Sequence, residues 1–216
     1  ITSYKLAAWE GYREEPPLIP SLEFKLFKDT TELIENFNSG HIDAISGLDP
    51  RDLQLIERPH EIFLFELPNY FAVFFNQGKN LPLKEGAVRE ALRLGTDSRR
   101  LITEILNGYG KPAFGPIPKG TYYFSASLEQ STTSLELASS TLWDTGWEIG
   151  EGVIGEKKIK KTSVPLELTL SVPQVNMLEK TAEFLKREWE GIGVKTDIRV
   201  LSGEEIQETI KNRDYE

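Results

Sequence analysis

The chain contains no cysteine. Disulfide frameworks, thiolate metal sites and cysteine nucleophiles are excluded together, while the compartment stays open. No run of about 18 apolar residues occurs, so no stretch reads as a membrane-spanning helix. No signal peptide opens the sequence. Ile1-Thr2-Ser3-Tyr4 reads as the middle of a domain, and Lys211 to Glu216 carries no stop signal. Both termini read as cuts in a longer protein. Basic residues are outnumbered, 25 Lys and Arg against 34 Asp and Glu, for a net charge of -9. Phosphate-rich partners need clustered cations, so nucleic acid and anionic membranes are disfavoured. The basic stretch Lys157 to Lys161 is short and reads as a solvated strand or turn.

Nucleophile and phosphate signatures are missing as well. Gly-x-Ser-x-Gly, Ser-x-x-Lys, Gly-Lys-Ser and Gly-Lys-Thr do not occur. Ser46-Gly47 has no histidine partner in its local sequence. The two histidines, His41 and His60, have no carboxylate at ligand spacing and read as exposed turn residues. Gly150 and Gly152 fit a hairpin better than a phosphate loop. Glu148, Glu151 and Glu156 lack the residue order of a calcium loop. The abundant carboxylates read as a solvated surface. These absences point to a chain without catalysis, cofactor or metal.

What is present is an ordinary globular composition, 39% hydrophobic and 27% charged over 216 residues. That suffices for one large domain or two modest ones. Tyr4 to Trp9 and Leu22 to Leu26 read as strands, the second as a half-buried one from its period of two. Asp29 and Glu32 propose a capping box for a helix that buries Leu33, Ile34 and Phe37 and stops at Gly40. Asp43 to Ser46 reads as a short strand, and Pro50 to Arg58 as a short helix. Glu61 to Leu67 and Tyr70 to Asn76 read as Phe-rich strands, with a crossover at Pro68. Helices follow over Lys84 to Thr96, Ser98 to Asn107 and Leu135 to Thr145. A proline-rich loop runs from Lys111 to Gly120, and a glycine-rich hairpin from Trp147 to Lys161. The last stretch is strand, helix, strand. Leu166 to Val172 and Val194 to Val200 alternate. Between them Val175, Leu178, Ala182, Leu185 and Trp189 form one apolar stripe on a helix from about Gln174 to Glu190. That order predicts a parallel βαβ unit. Of the aromatics Tyr70, Phe71, Phe74, Phe75, Tyr122, Tyr123 and Phe124, half should be core and half free to line a cleft.

Several segments, in order, resemble the peptide, oligopeptide and nickel class of solute-binding proteins that serve ABC importers. The most specific is Tyr70-Phe71-Ala72-Val73-Phe74-Phe75-Asn76, then Pro82, then Val88-Arg89-Glu90-Ala91-Leu92 running to Asp97-Ser98-Arg99. Ser98 intervenes where the family places Arg directly after Asp. Gly108-Tyr109-Gly110-Lys111-Pro112-Ala113 and Gly115-Pro116-Ile117-Pro118 resemble the family's loop of small residues and prolines. Ser39-Gly40-His41-Ile42-Asp43 is similar to its Ser-Gly-x-x-Asp turn. Leu142 to Trp147 resembles its Leu-x-x-Ala-Gly-Trp segment, with Thr145 in place of Ala. Tyr4-Lys5-Leu6 and Arg213-Asp214-Tyr215 match at the two ends.

The resemblance implies an α/β fold that is part of a two-lobe periplasmic-binding-protein-like (class II) structure with mixed sheets and a hinge crossover. Residues 1–67 would be a segment of the first lobe and 68–216 the larger part of the second, without its C-terminal return. The implied function is capture of a peptide or other small solute for membrane permease subunits of an ABC importer, by a monomer that binds no nucleic acid. The implied location is periplasmic or cell-surface, with the full-length protein lipid-anchored or secreted. The implied ligand-binding positions are Ser46, Gly47 and Leu48 from one lobe and Asn69 and Tyr70 from the other. Other ligands within the same fold remain open: an oligosaccharide, a nickel chelate or haem. So does a sensor domain of a cytoplasmic regulator. A hydrolase is disfavoured by the missing nucleophile and base.

Overall fold

The computed structural model describes residues 3–9, 11–12, 17–65, 70–125, 132–150, 153–159 and 162–216. The chain divides into two compact units, Ile1–Leu64 and Phe65–Glu216.

In the first unit, β1 (Ser3–Ala7) pairs antiparallel with β2 (Ser21–Lys25). The register sets Tyr4 opposite Phe24 and Leu6 opposite Leu22. One face of the hairpin is therefore apolar, and the other carries Ser3, Lys5, Glu23 and Lys25. The expected half-burial of β2 is not found: all five of its residues are exposed. Two strands alone supply no second layer to cover a face. Helix α1 (Thr30–Asn38) starts where Asp29 accepts the backbone N–H of Glu32 at 2.9 Å. Glu32 turns back to the N–H of Lys28 rather than Asp29, so the reciprocal bond lands one residue early. Ile34 and Phe37 are buried and Leu33 half-buried. Gly40 ends the helix at φ +78°, a conformation that favours glycine.

Downstream, the expected helix is a 3₁₀ segment, Pro50–Leu55, that stops before Arg58. Asp43 to Ser46 is not a strand, nor are residues 61–65 and 70–76. A strand exists only where another backbone pairs with it, and among the described residues these segments have no ladder partner. Pro68 lies outside the described residues.

The second unit holds most of the buried core. A 3₁₀ turn, Pro82–Lys84, leads into α2 (Gly86–Leu94). Asp97 caps α3 (Ser98–Leu106), accepting from the N–H groups of Arg99 and Arg100 at 3.0 Å. Asn107, at φ 48°, closes that helix ahead of Gly108. Helix α4 (Leu135–Asp144), capped by Ser134, ends before Gly146 at φ +88°. The glycine-rich hairpin is β3 (Glu148–Gly150) with β4 (Val153–Ile159), and β5 (Thr162–Pro165) adds a third antiparallel strand. Gly155 sits where β4 meets the βαβ unit, its N–H on the Gly193 carbonyl at 2.7 Å and its carbonyl on the Leu166 N–H at 2.6 Å. A Cβ there would stand 3.1 Å from a Leu166 methyl and 3.3 Å from the Gly193 oxygen, so glycine permits the close approach.

Strands β6 (Glu167–Pro173) and β7 (Lys195–Leu201) pair in parallel, from Glu167 opposite Lys195 to Pro173 opposite Leu201. Helix α5 (Asn176–Glu190) connects them, beginning two residues later than its periodicity suggests. Ala182, Leu185 and Trp189 are buried as expected. Leu178 is half-buried, and Val175, at the helix start, is exposed. Phe184 and Glu188 are also buried, which widens the stripe. The Trp189 indole N–H donates to the Leu92 carbonyl (3.2 Å) and Thr96 Oγ1 (2.9 Å), tying α5 to α2. Phe184 lies between two guanidiniums, with Arg100 at 5.2 Å and Arg187 at 5.1 Å from its ring centroid. Arg100 pairs with Glu188, and Arg187 with Glu104 at 2.7 Å. Helix α6 (Gly203–Lys211) opens on a complete capping box between Ser202 and Glu205.

Candidate functional site

Among the described residues no helix is long and apolar enough to cross a membrane, and no group of three or more His, Asp or Glu is gathered as a metal site. Candidate binding residues lie in each unit.

In the first unit the loop from His41 to Asp49 carries Ser46 and Gly47, both exposed, and Leu48, half-buried. Gly47 takes φ +75° with open space around it. The loop ends on Asp49, which accepts the Arg51 backbone N–H at 3.0 Å and two guanidinium donors at 2.9 and 2.5 Å. That bidentate carboxylate raises the Arg51 pKa further above its ordinary range. The start of the loop is bonded from residues well downstream. Arg58 Nη1 donates to the Ile42 carbonyl at 3.1 Å, and Asn38 Oδ1 accepts the Glu57 N–H at 3.0 Å. His41 and His60 are both exposed, His41 at a bend after α1 and His60 in irregular chain rather than a turn. Ser39 Oγ and His41 Nδ1 are 2.8 Å apart, the spacing of a hydroxyl and its base. Ser39 Oγ also has the Glu35 carbonyl at 2.8 Å and the Asn36 carbonyl at 3.2 Å as acceptors at the end of α1. A helix C-terminus presents partial negative charge and does not stabilise a developing oxyanion. The pair is a hydrogen bond at the C-cap of α1.

In the second unit Tyr70 is 41% exposed at the start of the irregular segment 70–76. Asn69 lies outside the described residues, as do Glu151, Lys160 and Lys161. Val73, Phe75, Leu92, Phe114, Leu185 and Trp189 line a cleft of about 420 Å³. Phe75 packs on the core, its ring 6.3 Å from that of Trp189. Phe71 and Phe74 are about 70% exposed. Tyr122 and Tyr123 are exposed and meet edge to face at 4.6 Å, while Phe124 is half-buried. Lys157, expected as a solvated strand residue, lies on β4 but is engaged: its ammonium bonds Glu85 at 2.9 Å and lies over the Trp147 ring.

A second, polar recess of about 150 Å³ lies along the outer edge of β6. Lys79 bonds Asp214 at 2.9 Å, which depresses the Asp214 pKa. Glu216 accepts the Thr169 backbone N–H at 2.5 Å, and Asn80 donates to the Glu167 carbonyl at 2.8 Å. Asn76 donates to the Arg213 carbonyl at 3.0 Å. Lys79 and Asp214 pair within the recess, while Glu216 is held by the Thr169 N–H and the Asn80 amide. These side chains fix residues 213–216 beside β6, a role the sequence did not disclose. The partners stand between 47 and 137 positions apart, and no periodicity marks them.

Of the expected ligand-binding positions, then, Ser46, Gly47 and Leu48 share one turn of the first unit and Tyr70 stands exposed in the second.

Comparison with known proteins adds what geometry alone does not. Oligopeptide-binding protein AppA of Bacillus subtilis (strain 168) is 22% identical over 204 residues, 91% of this chain and 36% of AppA. Protein XP55 of Streptomyces lividans is 24% identical over 175 residues, 76% of this chain and 32% of XP55. The chain thus spans about a third of the length of these relatives. Its fold matches the crystal structure of NikA from Brucella suis in complex with Fe(III)-EDTA, with a TM-score of 0.79 at 20% identity. That match covers 99% of this chain and 44% of NikA. It also matches AppA in complex with a nonapeptide, with a TM-score of 0.68 at 21% identity, covering 97% of this chain and 42% of AppA. The mixed α/β architecture is therefore part of the fold those binding proteins share. Residues 2–216 match the model of one family from end to end, and the chain belongs to the bacterial extracellular solute-binding proteins, family 5 Middle.

Proposed function

We propose that this chain is part of the substrate-binding component of an ABC importer, and that it captures peptides or a related small solute without transforming them. The observation that carries this reading is the family match over residues 2–216. The compact units Ile1–Leu64 and Phe65–Glu216 support a division a few residues from Pro68, residues 1–67 belonging to a first lobe and 68–216 to the larger part of a second. On this reading Ser46, Gly47 and Leu48 meet the ligand from one lobe and Asn69 and Tyr70 from the other, and the chain acts as a monomer. The protein works at the cell surface or in the periplasm, secreted or lipid-anchored, and hands its solute to membrane permease subunits. Native mass spectrometry of the protein isolated from its own host tests the ligand class. A co-purified peptide mass supports the reading. An oligosaccharide, nickel chelate or haem mass replaces the ligand but keeps the function. A substrate turned over by the protein overturns it.

Affinity should depend on enclosure. A two-lobe binder recovers the ordering costs of association by closing on its ligand, and this chain spans about a third of the length of its relatives. The 216-residue chain alone is expected to bind di- to pentapeptides no more tightly than about millimolar. Calorimetric titration checks this, and micromolar binding would place a sufficient site wholly within these residues.

A further inference from the structure

The loop between α1 and the 3₁₀ segment at Pro50 has neither helix nor ladder of its own. Such a segment keeps a single path only where side chains bond its backbone. Its tip gives it no help: Gly47 has open space where a side chain would stand, and Ser46 is exposed. The position of the tip is therefore inherited from its two ends. Asp49 with Arg51 holds the far end. At the near end Arg58 Nη1 reaches the carbonyls of Ile42 (3.1 Å) and Phe37 (3.5 Å), and its guanidinium lies 5.3 Å from the Phe37 ring centroid. Arg58 is itself fixed by Asn38. Asn38 Oδ1 accepts the N–H groups of Glu57 (3.0 Å) and Arg58 (3.4 Å), and its Nδ2 donates to the Leu55 carbonyl at 3.0 Å.

We infer that Arg58 is a positioning residue for the ligand loop. It ties the departure of that loop to the buried Phe37 of α1, so that Ser46, Gly47 and Leu48 are presented along one path. What the loop presents them to rests on the solute-binding reading above. Arginine suits the task because one planar group both stacks on Phe37 and spans two carbonyls, whereas a lysine ammonium is a flexible point charge. A loop ordered before it meets a ligand loses less entropy on binding.

The test is ¹⁵N relaxation on the 216-residue chain and on Arg58→Lys and Arg58→Ala. In the Lys variant, order parameters of Ile42, Asp43 and Ser46 to Leu48 should fall from near the helix value to below about 0.6, while Ile34 and Phe37 stay near about 0.85. The Ala variant should loosen the loop further. Should it unfold the first unit, the Lys variant, which keeps charge and stem, decides. A loop equally ordered in Arg58→Lys and wild type overturns the proposal. So does a loss of order that spreads equally through α1, since Arg58 would then only stabilise the helix. Saturation-transfer NMR with a di- to pentapeptide pool separates this inference from the reading beneath it. Weaker saturation transfer from Arg58→Lys at an unchanged melting temperature supports both. A loosened loop with no peptide response from either protein upholds the positioning role, and the same pair of variants in the full-length protein then decides the solute-binding role of the loop, since the 216-residue chain alone is expected to bind only weakly.

Discussion

The hairpin β1–β2 and the pair β6–β7 are both two-stranded sheets with alternating apolar and polar residues, yet only one of them is covered. Tyr4, Leu6, Leu22 and Phe24 share one face of the hairpin and remain 47–55% exposed. Leu168 and Val172 on β6 are 6% and 7% exposed. The difference lies in the connection. A chain that crosses from β6 to a parallel β7 must lay a helix over the sheet, so α5 arrives with the topology. An antiparallel hairpin closes on itself and brings no second layer. Alternation assigns each residue to a face; burial of that face depends on what the next element is obliged to do.

The largest effect that tests this contrast is at Trp189. Trp189→Ala removes a large aromatic that is 2% exposed and frees the Leu92 carbonyl and Thr96 hydroxyl it bonds. A loss of about 3–5 kcal/mol is expected, read as a lowered melting transition of the second unit. A melt that does not move would mean the α5 stripe is not core. Helix caps come next. Asp29→Ala and Ser202→Ala each delete a side-chain acceptor at a helix start, at a cost of about 1 kcal/mol apiece. Circular dichroism with chemical denaturation measures both. Because α6 buries only Thr209 whereas α1 buries Ile34 and Phe37, Ser202→Ala should take a larger share of local helicity than Asp29→Ala.

How much of this was legible in the sequence follows from the range of each interaction. The period changes at Leu166, about Gln174 and Val194 disclosed β6, α5, β7 and their parallel pairing, because a βαβ unit is specified within some few tens of adjacent residues. The cap at Asp29 and the glycine stops at Gly40 and Gly146 are equally local. Asp43 to Ser46 and Tyr70 to Asn76 carry strand-like residues without forming strands, because a ladder belongs to a pair of segments and not to one. Strand β5 was hidden for the converse reason: Thr162-Ser163-Val164-Pro165 is short and ends in proline, and only its pairing with β4 makes it a strand. At the candidate site, the turn after Gly40 was readable from its motif. The hold of Asn38 and Arg58 on that turn spans about twenty positions of irregular chain, and no pattern reports it.

Phe24 offers a direct way to break the comparison. Its ring stands opposite Tyr4 on the uncovered face, so Phe24→Ser removes a cross-strand pair and little burial. A cost of no more than about 1 kcal/mol is expected. A core-sized loss in a denaturant melt would show that the hairpin face is covered in solution, and the contrast with β6–β7 would fall.

The smallest effect lies at the edge of β6. Lys79 lies 2.9 Å from Asp214, with Arg199 at 4.0 Å, and the hydrogen bond from Lys79 is the main reason the Asp214 pKa falls below its ordinary value of 3.8. A carboxylate whose folded pKa is depressed contributes stability that is fully present above pH 3.8 and disappears as the pH falls through the lower folded value. Asp214→Asn should therefore melt slightly below wild type near pH 6, and the two should converge once the pH drops below that window. Because Asp214 and Lys79 are each about half exposed, salt should shrink the gap at pH 6. A gap that persists at low pH would trace the effect to packing rather than charge. One that survives high salt would mean that residues 213–216 are buried against β6 more deeply than these exposures allow.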